Sequence, residues 1–188
     1  MQIQPGDWLS FIGSVIGTLV GAVIAIFVMK NTLKDAKQDR ILTFCNQIVD
    51  ESVRVIANIT DATMSAQQFL TTAQKNEKIK AVEDFDTALN SIWCLKIKIG
   101  AKSKKYKYCD QIENDLQRIL VCVNGLTVNK LEYVNENATQ GQILALVNSE
   151  KYQILLKRLK EFDEDQESIN SLRENVKMFY EINTKKVI

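Results

Sequence analysis

Hydrophobic residues form one long block near the amino terminus and then recur at helical spacing along the rest of the chain. The block comprises the 22 uncharged residues from Trp8 to Met29 and is followed at once by Lys30. A helix of this length measures about 33 Å, enough to cross a hydrocarbon core of about 30 Å. The pattern therefore predicts a single transmembrane helix over residues 8–29.

Small residues recur every four positions within this block. They are Gly13, Gly17, Gly21 and Ala25. This spacing places them on one helix face, and a face without bulky side chains lets two membrane helices approach closely. The row predicts a glycine zipper through which the chain forms a homo-oligomer.

A cleaved signal peptide and a buried core helix are the alternatives for the block. A signal peptide begins with basic residues and has a shorter apolar run that ends in a small-residue cleavage site. Here residues 1–7 contain no Lys or Arg, and the block ends in Phe-Val-Met-Lys. A core helix of a water-soluble protein rarely continues for this length without a charge. A membrane span explains the block better than either.

The charges that flank the block predict its orientation. Before it, the only charged side chain is that of Asp7. After it come four basic residues, namely Lys30, Lys34, Lys37 and Arg40. Basic residues favour the cytoplasmic side of a span. We therefore expect residues 1–7 to form a short extracytoplasmic tail and residues 30–188 to lie in the cytoplasm, with the chain in the plasma (inner) membrane of a bacterial cell.

The part after the block shows helical periodicity almost throughout. One row alternates steps of four and three residues: Ile41, Cys45, Ile48, Ser52, Val55, Ile59, Ala62, Ala66, Phe69 and Ala73. This period of 3.5 residues is typical of left-handed helix packing. Chain breakers are scarce, because the chain has one Pro and seven Gly. We predict an all-α protein whose transmembrane helix continues into a cytosolic antiparallel four-helix bundle or coiled-coil stalk.

Three further helices are expected, over residues 77–99, 104–124 and 138–183, with a long loop over residues 126–137. The inward positions of the second helix are Val82, Phe85, Leu89, Ile92 and Trp93. Those of the third helix are Ile112, Leu116, Ile119 and Val123. The first and fourth helices, each about 65 Å long, would pair as a stalk. The turn between the shorter second and third helices would then lie roughly 30 Å from the membrane.

Composition limits the chemistry that the chain can perform. It has no His, no phosphate-binding or dinucleotide-binding glycine motif, and no C-x-x-C pair, and its acidic run over residues 161–167 lacks the spacing of a calcium loop. Nucleophilic catalysis and many metal sites depend on His. We expect a non-enzymatic protein without metal or cofactor. Its cysteines are interpreted as small buried hydrophobes of a reducing compartment: Cys45, Cys94, Cys109 and Cys122.

One basic cluster is present in a chain whose net charge is only +1. It comprises Lys96, Lys98, Lys102, Lys104, Lys105 and Lys107, with Tyr106 and Tyr108 interleaved. Such a cluster can bind a phosphate-bearing signal through charge and aromatic stacking. Lipid would lie well beyond a Debye length of about 8 Å from the expected position of the turn. The alternative is a solvated turn that keeps the bundle soluble. Nucleic acid is not an expected partner, because the low net charge provides no long-range attraction.

The layout of one amino-terminal span, a glycine row and a helical cytosolic bundle is similar to that of several small bacterial membrane proteins. Some of those act in phage defence, stress response or lysis control, and the similarity is one of architecture alone. The sequence favours a self-associating membrane effector whose bundle senses a partner or signal and whose clustered spans alter membrane permeability. The alternative is a membrane-tethered adaptor that binds a cytosolic protein through an exposed face of its helices.

Overall fold

The computed structural model describes residues 5–102, 104–135, 137–164 and 166–185, and for residues 5–17, 19 and 164 it describes the backbone alone. Within those residues every regular element is a helix, apart from one isolated β-bridge between Gln74 and Val134. The all-α prediction is therefore confirmed. Contacts divide the chain into two units, Met1–Thr43 and Phe44–Ile188.

Six α-helices and one short 3-10 helix make up the described chain. Helix α1 extends over Pro5–Thr72 and includes residues of both units. The other α-helices are α2 (Lys75–Gly100), α3 (Cys109–Asn124), α4 (Gln140–Val147), α5 (Glu150–Glu164) and α6 (Glu167–Thr184). The 3-10 helix covers Val128–Lys130, within the long loop that the sequence predicts. Helix α1 ends one residue before Ala73, the last member of the predicted row, and both ends of α2 lie within two residues of their expected positions.

The first unit consists of the beginning of α1. Its described large apolar side chains between Val20 and Met29 are all exposed, and Val23 has two thirds of its surface accessible (66%). At Gly21 an added Cβ would meet no atom within 4 Å. A larger side chain at this position therefore fits the single chain without a clash.

Side chains are described for only part of the expected membrane span. Among the residues whose side chains are described, no helix has a stretch that is long and apolar enough to cross a bilayer. Residues 8–17 and 19 of the expected span lie outside that set, and so do Gly13 and Gly17 of the glycine row.

The second unit is built around the row of residues predicted for the first helix. Every member of that row from Cys45 to Ala73 is buried. The one polar member, Ser52, donates a hydrogen bond from its hydroxyl to the carbonyl oxygen of Ile48, at 2.7 Å. A row with a period of 3.5 residues stays on one side of a helix, so neighbouring helices can cover it along its whole length.

Side-chain contacts show which helices are neighbours. Lys98 near the end of α2 forms an ion pair with Glu51 of α1. The ring centroids of Phe44 on α1 and Phe179 on α6 are 6.1 Å apart, and α3 packs against both α2 and α6. From Phe44 onward, α1 therefore forms an antiparallel bundle with α2, α3 and α6. We call the end that contains Phe44 the entry end, because the chain enters the second unit there.

Helix α5 covers the opposite end of this bundle. The ring of Tyr152 lies 5.6 Å from that of Phe69, and its hydroxyl donates a hydrogen bond to the carbonyl oxygen of Glu132 at 2.5 Å. Arg158 donates to the carbonyl oxygen of Gly125, just beyond α3, at 2.8 Å. These contacts attach α5 to the ends of α1 and α3.

The prediction of a single fourth helix over residues 138–183 is wrong, because three helices, α4, α5 and α6, occupy this range. Helix α4 begins with a capping box, in which Thr139 and Gln142 each accept a hydrogen bond from the other's backbone N–H. It ends at Val147 and is followed by Asn148 and Ser149, residue types whose side chains tend to compete with a helix for backbone hydrogen bonds. The negative charges of residues 161–167 oppose the negative end of the α5 dipole, which favours the second break.

Helix α2 buries a face rotated by about one residue from the expected one. Phe85 and Ile92 are buried as predicted, whereas Trp93 is 48% exposed. The other core positions of α2 are Ala81, Ala88, Leu95 and Ile99. The expected core position of Trp93 is therefore wrong. The small alanines permit close approach of neighbouring helices, and the indole is left at the surface.

Helix α3 begins later than predicted but buries the predicted face. Tyr108, directly before it, has a φ of 69°, in the left-handed region that a right-handed helix excludes. The four inward positions are buried as expected: Ile112, Leu116, Ile119 and Val123.

Helices α3 and α6 also share a buried polar contact. The carboxylate of Asp115, itself buried, accepts a hydrogen bond from the Ser171 hydroxyl at 3.0 Å and another from the Asn175 side-chain amide at 2.7 Å. Because a buried carboxylate without donors is costly, these bonds hold α6 in one register against α3.

Candidate functional site

An apolar cleft runs between α1 and α6 on the surface of the bundle. Its volume is about 660 Å³. Its apolar lining consists of Val49, Val53 and Ile56 from α1 with Val176 and Tyr180 from α6. Val53 is 63% exposed. The three α1 residues are spaced by four and three positions, so the cleft has the periodicity of a surface that packs against another helix.

Charged residues surround the apolar part of the cleft on the α6 side. They are Arg173, Lys177 and Glu181. Apolar surface with a polar rim is the usual arrangement at protein–protein contacts. This cleft was not predicted, because the prediction for α1 considered only the dominant row of apolar residues from Ile41 to Ala73. The signal was a second, shorter apolar row one position further along, at Val49, Val53 and Ile56.

The structure divides the six-lysine cluster into two groups. Lys98 is paired with Glu51 of α1, and Lys96 donates to the side-chain oxygen of Gln117 on α3 at 2.5 Å. The other four side chains are exposed in the connection between α2 and α3. We call these four residues the lysine turn: Lys102, Lys104, Lys105 and Lys107.

The lysine turn lies at the entry end of the bundle. The ring of Tyr106, within the turn, is 4.8 Å from that of Phe44 and 6.2 Å from that of Phe179. Asn183, near the end of α6, donates a hydrogen bond to the carbonyl oxygen of Lys107 at 3.2 Å. The sequence predicts this turn roughly 30 Å from the membrane, and within the second unit the structure places it at one end of the bundle, beside Phe44. The 26 residues of α2 nearly match the 29 residues of α1 within the unit, so α2 returns to the end at which α1 enters the unit.

A phenol and two thiols are buried close to the lysine turn. Burial raises the pKa of Cys45 and of Cys109 to about 11, and it raises the pKa of Tyr106 above its usual value. All three groups are protonated at neutral pH, so the thiols are poor nucleophiles. Because the ring of Tyr106 is enclosed by Phe44 and Phe179, it is not available to stack on a base, contrary to the expectation from its place among the lysines.

The cysteines are only partly as predicted. Cys45 and Cys109 are buried, whereas Cys94 and Cys122 are exposed, and all four are free thiols. The exposed pair lies on the outer faces of α2 and α3, outside the rows that those helices bury. Among the described residues, no three His, Cys, Asp or Glu side chains are grouped closely enough to hold a metal ion.

Comparisons with known proteins assign no family. No family model matches the chain, and nothing matches it among the curated proteins or the solved structures. The features from which a function can be inferred are therefore the sequence pattern, the apolar cleft and the lysine turn.

Proposed function

We propose that this chain is a non-enzymatic, single-span membrane protein that self-associates through its transmembrane helix, over residues 8–29. The observation that carries the proposal is the uncharged 22-residue block, whose described large apolar side chains between Val20 and Met29 are left exposed by the rest of the chain. Continuous exposed apolar surface requires cover by lipid or by another protein. Membrane insertion covers one part of this surface, and association along the glycine row covers the rest.

In this proposal residues 30–188 form a cytosolic sensor or effector domain. The basic residues after the block keep that domain on the cytoplasmic side of the inner membrane. The apolar cleft gives the bundle a surface on which a helix of a second molecule can lie. Clustering of the spans would then change the permeability of the membrane, as expected of an effector in phage defence or stress.

Replacing Gly21 with Leu is expected to weaken self-association severalfold. An added side chain at this position meets nothing within the protomer but prevents close approach of a second helix. Cross-linking of the full chain in membranes measures the oligomer, and leakage of a dye from cells that overproduce it measures permeability. Both should fall together.

Val23→Leu is the matched control for this experiment, because Val23 is exposed on the same helix but lies outside the glycine row. Its cross-linking pattern should equal that of the wild type. An oligomer ladder that Gly21→Leu leaves unchanged would refute association through the glycine row. Recovery of the wild-type chain in the soluble fraction would refute the membrane span.

A membrane-tethered adaptor is the second candidate function, and the apolar cleft is the observation that favours it. The cleft has the size and apolar character of a groove that receives an amphipathic helix. In this case the partner is a different cytosolic protein, and overproduction should not make the membrane leak.

A photo-crosslinking amino acid at Val53 is expected to join two copies of this chain. Val53 lies in the cleft with 63% of its surface exposed, and Val121 on α3 provides a control with 62% exposed outside it. The covalent product should have twice the mass of the chain and should form from position 53 only. A product with one specific other protein would support the adaptor instead. Equal products from both positions would show that the cleft has no special role.

A further inference from the structure

Two contacts attach the lysine turn to the bundle. Tyr106 anchors it by packing between Phe44 and Phe179, and Asn183 of α6 binds the carbonyl oxygen of Lys107. The lysine turn therefore lies at the entry end of the bundle. The carboxyl end of α6, with Lys185, lies at the same end.

The positive charge of the lysine turn is largely uncompensated. Among residues 101–110 there are four lysines and a single carboxylate, that of Asp110. In the described part of the chain, none of the four lysines forms an ion pair, whereas Lys98 and Lys185 are paired with Glu51 and Glu181. A fixed, exposed group of like charges attracts an anionic partner.

The shape of the lysine turn is better suited to binding a flat anionic surface than to binding a small ligand. The described clefts are lined by other residues, and the ring of Tyr106, within the lysine turn, is buried. Nucleotides and similar ligands are usually bound in concave pockets with stacking partners. Several lysines on an exposed turn are better matched to a plane of phosphate groups, each of which one side chain can contact.

The connecting chain is short enough to keep the lysine turn within about one Debye length of the lipid headgroups. Fourteen residues, 30–43, separate Met29 from Phe44, and as a helix they rise at most about 21 Å. Lipid headgroups occupy about 6 Å of this height, and an extended lysine side chain reaches about another 6 Å. With the lysine turn level with Phe44, the gap that remains is about 9 Å, close to a Debye length of about 8 Å.

We propose that the lysine turn binds the anionic phospholipid headgroups of the bilayer in which the chain is anchored. The proposal rests on the proposed function, because the span is what keeps the entry end near the membrane. Binding would hold the bundle in one orientation over the bilayer. The return of α2 to the entry end places this turn beside Phe44, the first residue of the second unit.

Lysine acetylation of the full-length protein in vesicles tests this proposal. The chain is reconstituted in phosphatidylcholine vesicles with and without phosphatidylglycerol, and mass spectrometry measures the acetylation rate of each lysine. We expect phosphatidylglycerol to slow acetylation of the lysine turn by about fivefold per residue. High salt should remove this protection. Lys75 and Lys151, at the opposite end of the bundle, are internal controls that should not change.

A charge variant and its matched control extend the experiment. Lys104→Gln with Lys105→Gln should reduce the protection of the remaining Lys102 and Lys107. Lys75→Gln with Lys151→Gln removes the same charge from the opposite end and should leave that protection intact. All four side chains are exposed, so the variants should fold as the wild type does.

The remaining outcomes refute either lipid binding by the lysine turn or the membrane span. Equal acetylation in the two kinds of vesicle, with the chain retained in both after an alkaline wash, refutes lipid binding and leaves the membrane span intact. Loss of the chain from phosphatidylcholine vesicles during the wash refutes the span, and with it this proposal. Protection by inorganic phosphate or ATP in phosphatidylcholine vesicles, without an effect of phosphatidylglycerol, would show that the lysine turn binds a small ligand instead.

Discussion

Replacing Phe179 with Ala is expected to lower the free energy of unfolding of the bundle by about 3–5 kcal/mol. Its side chain is fully buried at the entry end, with ring centroids 6.1 Å from Phe44 and 6.2 Å from Tyr106. The substitution removes the ring and leaves a cavity that these large neighbours cannot fill without moving. It also removes one of the two rings that hold Tyr106, so the lysine turn should become more mobile.

Urea unfolding of the detergent-solubilised full chain, followed by circular dichroism, measures this effect. Met178→Ala is the control, because Met178 precedes Phe179 on α6 but is partly exposed. Its cost should be less than about 1 kcal/mol. If both substitutions had the same small effect, the packing of α6 at the entry end would be wrong.

Stability of the bundle is expected to fall steeply above pH 9. Burial raises the pKa of Cys45 and of Cys109 to about 11, from 9.0 for an exposed thiol. Between these values the folded chain keeps protons that the unfolded chain has released, so rising pH favours unfolding. The loss in the free energy of unfolding is absent below pH 9. It is complete near pH 11, where it reaches about 3 kcal/mol for each thiol. Tyr152, with a pKa raised to about 12, extends the loss to higher pH.

Thermal unfolding between pH 7 and 11 measures this dependence. Cys45→Ala should reduce the slope above pH 9, because the buried thiol no longer resists ionisation. Cys122→Ala is the control, since Cys122 is an exposed free thiol, and its slope should equal that of the wild type. A melting temperature that stays constant to pH 11 would contradict the burial of these thiols.

The fold was most predictable where packing follows local periodicity. The row from Cys45 to Ala73 and the inward face of α3 are buried as the sequence predicts. In both segments the large apolar residues occur on one side only, so any arrangement that removes them from water must bury the same face. Helix α2 lacks this property, since apolar residues surround Trp93 on several sides and two alanines decide which face is buried.

The ends and breaks of helices were less predictable, because they depend on weak competing effects. Nothing in the periodicity of residues 138–183 indicates the interruption at Asn148, where a cap and a turn-forming pair outweigh helix propensity. The bond between Asp115 and Asn175 joins residues 60 positions apart. No local pattern predicts such a pairing.

The candidate sites, like the fold, were predictable where they depend on residue type and not where they depend on contacts between distant segments. The four residues of the lysine turn were all identified from the sequence, because charge and exposure follow directly from residue type. The structure separates Lys96 and Lys98 from these four, since those two side chains bind Gln117 of α3 and Glu51 of α1. The apolar cleft was missed because it exists only where α1 and α6 lie side by side.

The sequence by itself determined that this protein is helical, which face of α1 and of α3 is buried, and where its uncharged block and its basic residues lie. These properties depend on residue type and on spacing along a single helix, which are local. Tertiary structure decided that α2 returns to the entry end, that the lysine turn rests there on Phe44 and Phe179, and that a cleft remains between α1 and α6. These features depend on which distant segments meet, and that choice follows from the lengths and packing of all the helices together.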